Sequence, residues 1–130
     1  MLSLSSKYAL RALRSLAQMD PECFVRVDIL SRKADVPGPY LSKVIKVLAR
    51  KDIVETRRGL TGGVRLSRRG STATFYDVCE ALQDPIVHQP CILSKSACRA
   101  AAPCHLHNQW SKVRGRISKF LKGAKIKPGR

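Results

Sequence analysis

Apolar residues at helical spacing divide the first half of the chain into three predicted helices. The first begins at a cap on Ser5 or Ser6 and runs to about Met19, where an Asp-Pro pair stops it. A second covers about residues 27–34, and a proline-rich break at residues 36–39 precedes the third. The predicted core positions are Ala9, Leu13, Leu16 and Ala17 in the first helix, and Ile29, Leu30 and Ala34 in the second.

The third predicted helix has an apolar stripe and a basic outer face. Leu41, Val44, Ile45 and Leu48 repeat at i, i+3, i+4 and i+7, which predicts one buried side. Two short helices, a tight break and a basic third helix are typical of a helix-turn-helix, although a three-helix cluster with a solvated basic face has the same pattern. The outward positions hold donors and no carboxylate: Tyr40, Ser42, Lys43, Lys46 and Arg50.

A basic hairpin is predicted directly after this helix. Residues 53–57 and 64–67 have the composition of short strands, and the glycines between them permit the positive φ angles of a hairpin tip. A nucleotide-binding loop is excluded, because no P-loop Lys-Ser/Thr pair follows the glycines. The hairpin is therefore interpreted as a wing whose arginines reach phosphates or a minor groove. These arginines are Arg57, Arg58 and Arg65.

The second half holds a further short helix, a loop and a long helix. Residues 72–83 place apolar side chains at core spacing, and Cys79 among them is interpreted as a packing residue. Residues 84–103 lack periodicity and predict a loop. From residue 105, apolar positions alternate at spacings of four and three, as in a coiled-coil seam. Packing against a second copy is favoured over packing on the helix's own domain. The seam residues are Leu106, Trp110, Val113, Ile117 and Phe120.

Together the patterns predict a mainly α fold with a small β-hairpin wing, that is, a winged helix-turn-helix plus a long C-terminal dimerisation helix. Three segments are expected: a DNA-binding domain over residues 1–84, a cysteine-rich cluster-binding loop over 85–104, and the dimerisation helix with a basic tail over 105–130. The last residues, 123–130, are expected to be flexible and solvated.

The formal net charge of +16, from 25 basic and 9 acidic side chains, favours a polyanionic partner, above all nucleic acid. An acidic membrane or protein partner is the alternative that charge alone leaves open. No apolar run approaches the length of a membrane-spanning helix, and the N-terminus lacks the features of a signal peptide, so a cytoplasmic location is expected. No acid/base pair or nucleophile-base motif indicates an enzyme.

Three of the five cysteines are concentrated in one short segment that also contains Pro90 and Pro103. Cys91, Cys98 and Cys104 lie within 14 residues, with His105 and His107 directly after them. Three thiols and an imidazole can surround a thiophilic metal centre. Zinc sites usually contain shorter cysteine gaps, and the wider gaps here favour an iron–sulfur cluster. A metal-free thiol switch is a third possibility, and the residues alone leave all three open. Cys23 has no visible partner.

The ordered set of features resembles the Rrf-type winged-helix transcriptional regulators, an iron–sulfur-dependent class with IscR-like and NsrR-like members. The resemblance covers about residues 1–121 and rests on the wing sequence combined with the cysteine spacing. The matching stretches are 6–9, 40–48, 58–64, the three cysteines at 91, 98 and 104, and 107–110.

The resemblance implies a homodimer joined by the helix at 105–121, with a [2Fe-2S] or [4Fe-4S] cluster on each subunit near the dimer interface. Cys91, Cys98 and Cys104 would be ligands, and His107, three residues after the last cysteine, would be the fourth ligand as in IscR-like members. NsrR-like members use an acidic residue in the first helix, where this chain has Lys7. The nitric-oxide-sensor interpretation loses support accordingly.

The expected function is a sequence-specific DNA-binding transcriptional regulator, switched by a cluster that senses iron or cluster status or oxidative or nitrosative stress. Two third helices would enter successive major grooves of a near-palindromic operator in double-stranded DNA. A zinc-bound or thiol-switched transcription factor and an RNA-binding protein are the alternatives; no membrane partner or small-molecule substrate is expected. Base edges are assigned to Tyr40, Ser42 and Lys43, and phosphates to Lys46, Arg57, Arg58 and Arg65.

Overall fold

A computed structural model describes residues 2–88 and 105–128 of the chain. Helices dominate this part, and a two-stranded antiparallel hairpin follows the third of them. The elements are α1 (Leu4–Ala17), α2 (Val27–Ala34), α3 (Gly38–Arg50), β1 (Val54–Arg57), β2 (Gly63–Leu66), α4 (Arg68–Thr72), α5 (Phe75–Ala81), α6 (Pro85–His88) and α7 (His107–Gly123).

The core lies where α1, α2 and α3 pack together and α5 closes one side. The predicted stripe of α3 is buried at all four positions. Ile29 differs from its prediction, because it lies on an exposed part of α2 while Leu30 and Ala34 face the core. α2 has only eight residues, about two helical turns, and its narrow inner face cannot bury both Ile29 and Leu30, which point about 100° apart.

The start of α1 also differs from its prediction. Ser3 is the N-cap, and its hydroxyl accepts from the backbone N–H of Ser6 at 3.2 Å. Ser6 itself is buried inside the first turn. Several serines in succession can satisfy the free N–H groups of a helix start, so the local sequence could not choose among them.

The hairpin has one face in the core and one outside. Its register pairs Val54 with Leu66 and Arg57 with Gly63. Because side chains alternate along a strand, Val54 and Val64 face the core and are buried. Glu55, Arg57 and Arg65 share the outer face. The segment before α2 joins the other edge of β2 through a single isolated bridge, in which Val25 and Val64 exchange two backbone hydrogen bonds of 2.8 Å.

The helix predicted over 72–83 is present but shorter, as α5, and a separate short helix, α4, ends at Thr72 just before it. The break is stabilised by a capping box, in which Thr74 and Asp77 each accept a hydrogen bond from the other's backbone N–H. The predicted loop also begins with a helical turn, α6. Asp84 initiates this turn, because its side chain accepts from the N–H of Ile86 at 2.9 Å.

The C-terminal tail was predicted to be flexible and solvated, but the part described, up to residue 128, packs on the domain. Ile126 is 1% exposed, and its backbone N–H donates to the carbonyl of Ala73 at 3.0 Å. The N–H of Phe75 donates to the carbonyl of Ala124 at 2.8 Å, so the tail is bound beside the start of α5. Together with the packing of α7 on α5, these bonds attach the C-terminal helix to the helical core. The division of the chain into three segments stays a prediction.

Candidate nucleic-acid interface

The exposed face of α3 has the properties predicted for a recognition helix. Ser42, Lys43 and Lys46 are exposed along its length, and Arg50 is exposed in its last turn. The opposite face is fixed in the core, so the helix cannot rotate these side chains away from solvent. α3 contains no acidic residue, and the exposed face is therefore a row of hydrogen-bond donors and positive charges.

Tyr40 lies at the start of this face and is half-buried. Its hydroxyl shares a hydrogen bond of 3.1 Å with Ser5 of α1. Its ring packs edge-to-face on Tyr8, with the centroids 5.0 Å apart. These contacts orient the first turn of α3 relative to α1, a role that the sequence pattern did not indicate.

The hairpin directly follows this helix in the chain, and it holds the three predicted wing arginines. Arg58 is exposed at its tip, and Arg57 is exposed with one side-chain hydrogen bond, 2.9 Å to the carbonyl of Thr61. Arg65 is more restrained. Its Nε donates to Glu55 at 2.9 Å, and its Nη1 donates to the carbonyl of Glu22 at 3.0 Å. Of the three predicted wing cations, Arg57 and Arg58 are therefore the more available to an anion.

Phe24 is a member of this surface that the sequence analysis missed. The Cζ atoms of Arg57 and Arg65 lie 4.3 Å and 4.2 Å from the centroid of its ring. Both distances are well within the range of a cation–π interaction. Phe24 belongs to a stretch without periodicity, so no sequence signal identified it.

The predicted seam of α7 is only partly buried against the rest of the described chain. Phe120 is 67% exposed and Val113 is 45% exposed, while Leu106, Trp110 and Ile117 are half-buried. The buried residue of α7 is Leu121, which lies on the side that packs against α5. α7 thus packs on its own domain through one face and keeps an apolar strip on another.

A cleft beside α7 continues this apolar strip. It has a volume of about 450 Å³ and lies between the end of α7, the N-terminus and α6. Two cations stand among its apolar lining residues. The lining consists of Leu2, Lys7, Ile86, Arg116, Ile117, Phe120 and Leu121.

Three of the predicted metal ligands, Cys91, Cys98 and Cys104, lie outside the described residues. The fourth, His107, is the first residue of α7 and lines a cleft together with Tyr76 and Ile86. Residues 2–88 and 105–128 contain no cluster of three or more histidine, cysteine or acidic side chains suited to a metal.

The two cysteines in the described part have different surroundings. Cys79 is fully buried, as predicted for a packing residue. Burial, together with the nearby Asp84 carboxylate, raises the pKa of its thiol to about 11. Cys23 is exposed, and the hydrogen bond between its thiol and Asp20 raises its pKa. Neither environment favours a reactive thiolate.

Among the helices in the described ranges, none combines the length and apolar character needed to cross a bilayer.

Comparison with known proteins identifies the group to which this fold belongs. The family model described as Rrf2, iron-dependent transcriptional regulator, matches residues 2–128. A predicted HTH-type transcriptional regulator of Aquifex aeolicus is 31% identical over 123 residues, covering 93% of this chain and 85% of the relative. The HTH-type transcriptional regulator IscR of Aliivibrio salmonicida is 26% identical over 125 residues, covering 96% and 74% of the two chains.

Solved structures show the same fold. CymR, the global cysteine regulator of B. subtilis, superposes with a TM-score of 0.78 at 19% identity and covers 97% of this chain and 92% of its own. T. potens IscR superposes with a TM-score of 0.72 at 23% identity, covering 97% and 82%. These likenesses confirm the predicted winged-helix fold class. Because the family model spans nearly the whole chain, the protein belongs to the Rrf2 family of transcriptional regulators and not to a family of enzymes.

Proposed function

We propose that this protein is a homodimeric transcriptional regulator that inserts α3 into the major groove of operator DNA. The observation that carries the proposal is the exposed donor face of α3, with Lys43 at its centre and the cationic hairpin beside it. A helix of this kind fits a major groove, and an adjacent basic hairpin fits the flanking backbone. Membership of a transcriptional-regulator family supports the same conclusion.

The surroundings of each side chain suggest how the contacts are divided. Ser42 and Lys43 are free to meet base edges, whereas Lys46, Arg57 and Arg58 suit phosphates. Tyr40 would have to exchange its hydrogen bond with Ser5 for one with a base, so its part in base recognition is smaller than the sequence predicts. Arg65 likewise has to leave Glu55 to neutralise a phosphate.

The homodimer is supported by the apolar strip on α7. Val113 and Phe120 leave much of their apolar surface in contact with water. That surface is removed from water only if another group packs over it. A second copy of α7 would cover both, because the seam repeats with the spacing of a helix pair. Two-fold symmetry then implies two recognition helices and a near-palindromic operator.

The dimer is tested by sedimentation of Val113→Glu against Asn108→Glu, an equally charged change at an exposed position off the seam. We expect Val113→Glu to give monomers with weaker operator binding and Asn108→Glu to leave both properties unchanged. Two variants that sediment alike would contradict an interface along this strip.

We further propose that Cys91, Cys98 and Cys104, with His107 as the fourth ligand, hold a [2Fe-2S] or [4Fe-4S] cluster that controls DNA binding. A family described as iron-dependent and a relative named IscR support an iron-containing centre. His107 suits the role of ligand, because it stands at the start of α7 and lines a cleft. When bound, the cluster would supply an iron- and redox-sensitive link between the cysteine segment and α7.

A chain of contacts connects the flank of the cysteine segment to the recognition helix. Asp84, the residue directly before that segment, accepts from the backbone N–H of Ser3 at 2.8 Å and so attaches α6 to the start of α1. Two residues further, Ser5 is bonded to Tyr40. A rearrangement of the cysteine segment that moves α6 would therefore be transmitted through the first turn of α1 to the first turn of α3.

The decisive experiment is anaerobic purification with iron, zinc and sulfide counted per chain, followed by operator affinity of the loaded and stripped protein. Iron with sulfide and a difference in affinity would support the cluster-controlled regulator. Zinc without sulfide would favour the zinc-bound alternative, and reversible loss of affinity on oxidation without any metal would favour a thiol switch. Identical affinities in all states would refute a switch at this segment.

A role in RNA binding is the second candidate, because the charge of +16 attracts either nucleic acid. Competition between duplex DNA and structured RNA at matched salt separates the two, and preference for RNA would refute the operator model. A regulator of chromosomal DNA works where the chromosome lies, so the cytoplasmic location expected from the sequence is part of the same proposal.

A further inference from the structure

The wing contains two arginines whose side chains meet at one aromatic ring, which belongs to a residue outside the hairpin. We propose that Phe24 is a positioning residue of the DNA interface: its ring holds Arg57 in the pose from which the guanidinium group contacts a DNA phosphate. The inference rests on the proposed DNA-binding function and assigns a role to a residue outside both the recognition helix and the hairpin.

The position of the ring follows from backbone pairing. Val25 pairs antiparallel with Val64, so the preceding residue, Phe24, lies opposite Arg65 on the outer face of β2. Arg57 on β1 is paired with Gly63, which has no side chain. The Arg57 side chain can therefore pass over β2 at Gly63 and reach the ring.

Gly63 is required for this arrangement. A Cβ atom at this position would lie 2.2 Å from the carbonyl oxygen of Val25, and its φ of +149° is one that other residues rarely adopt. A side chain on Gly63 would separate the Val25 segment from β2 and move Phe24 away from the arginines. The glycine at position 63 thus permits both the close approach of the two backbones and the placement of the ring.

The two arginines have different roles at the ring. Arg65 is held at three points, by the ring, by Glu55 and by the carbonyl of Glu22, which makes it a fixed part of the wing. Arg57 makes one hydrogen bond, to Thr61, and has no acidic partner among the described residues. Its charge is therefore not neutralised within the wing.

Preordering of Arg57 has a consequence for affinity. A long side chain that is mobile in the free protein loses conformational freedom when it binds, and this loss weakens binding. With its guanidinium 4.3 Å from the centroid of the Phe24 ring, Arg57 has already lost part of that freedom. Removing the ring should weaken DNA binding even though Phe24 carries no charge.

The test is a double-mutant cycle measured on a random-sequence DNA duplex at one salt concentration. Phe24→Leu keeps an apolar side chain but removes the ring, and it should weaken binding about two- to fivefold, the range expected for an exposed cation–π contact. Phe24→Tyr keeps the ring and should bind like the natural protein. In the Arg57→Ala background, Phe24→Leu should cause no further loss.

Arg58→Ala serves as the matched control, because Arg58 is an exposed neighbouring cation that has no contact with the ring among the described interactions. In the Arg58→Ala background, Phe24→Leu should weaken DNA binding by the same factor as it does in the natural protein. Circular dichroism at the assay temperature verifies that every variant is folded. A Phe24→Leu loss that persists in Arg57→Ala, or a Phe24→Tyr protein as weak as Phe24→Leu, would overturn the positioning role.

The outcomes also separate this inference from the function on which it rests. If Arg57→Ala and Arg58→Ala weaken binding but Phe24→Leu does not, the DNA interface stands and the role of Phe24 is refuted. If neither arginine variant affects duplex binding, the proposed placement of the wing on DNA is itself refuted.

Discussion

Asp84 offers a sharp test of the connection between α1 and α6. Its carboxylate is 1% exposed and accepts one backbone N–H on each oxygen, from Ser3 at 2.8 Å and from Ile86 at 2.9 Å. Burial alone raises the pKa of Asp84, but hydrogen bonds from the Ser6 hydroxyl and from the N–H groups of Ile86 and Ser3 outweigh it and leave the pKa below the ordinary value of 3.8.

Asp84→Asn should destabilise the fold although it preserves shape. An asparagine side chain has one carbonyl oxygen, so one of the two backbone donors would face an NH₂ group. Leaving a buried donor without an acceptor costs about 1–3 kcal/mol, and the loss of a charged acceptor at the other bond adds to this. We therefore expect a loss of about 2–4 kcal/mol in the free energy of unfolding at pH 7.

The assay is urea unfolding followed by circular dichroism, with Asp35→Asn as the control. Asp35 has a side chain 98% exposed and a backbone φ of 55°, which asparagine adopts readily. Its exposed ion pair with Arg11 should contribute less than about 1 kcal/mol. Equal losses in the two variants would refute the assignment of Asp84 as a structural anchor.

The pH dependence gives a second readout of the same reasoning. A lowered pKa means that the ionised carboxylate stabilises the folded state, and this contribution is complete above the unfolded value near 3.8. It is lost as the pH falls through the lower, folded value. The stability difference between the natural protein and Asp84→Asn should therefore be constant from neutral pH down to about 5 and narrow below about 4. A difference that widens with acidity would refute the direction of the shift.

Three further predictions concern the tail, the division of DNA contacts and the buried thiol. Ile126→Ala should lower the free energy of unfolding, measured with urea, by about 2–5 kcal/mol, because Ile126 is 1% exposed. Lys127 is exposed, and Lys127→Ala should change that free energy by less than about 0.5 kcal/mol. Equal effects of the two substitutions would mean that the tail is not bound. Lys43→Ala should reduce the preference for operator over random duplex, and Arg57→Ala should weaken both about equally; equal losses on both duplexes for both variants would refute this division. Native Cys79 should resist alkylation at pH 8, because burial raises the pKa of its thiol to about 11, and it should react after unfolding. Peptide mass mapping compares its alkylation rate with that of the exposed Cys23. Similar rates for the two thiols in the native protein would contradict the burial of Cys79.

Local patterning determined most of the secondary structure of this protein. The buried stripe of α3 follows from helical periodicity, because each position is decided by which side of one helix it occupies. The hairpin follows from short strand-forming segments around glycines that tolerate a positive φ, as Gly59 does at 103°. These signals are contained within about ten residues each, so they can be read without knowledge of the fold.

The tertiary structure decided which residues from distant parts of the chain become partners. Phe24 meets Arg57, Asp84 binds the start of α1, and Ile126 enters the core beside Ala73. No periodicity within a segment encodes such pairs, because each depends on how whole elements pack. The sequence therefore identified the cationic face of α3 by itself. The ring that orders the wing, the anchor of α6 and the binding of the basic tail arose only when packing brought separate segments together.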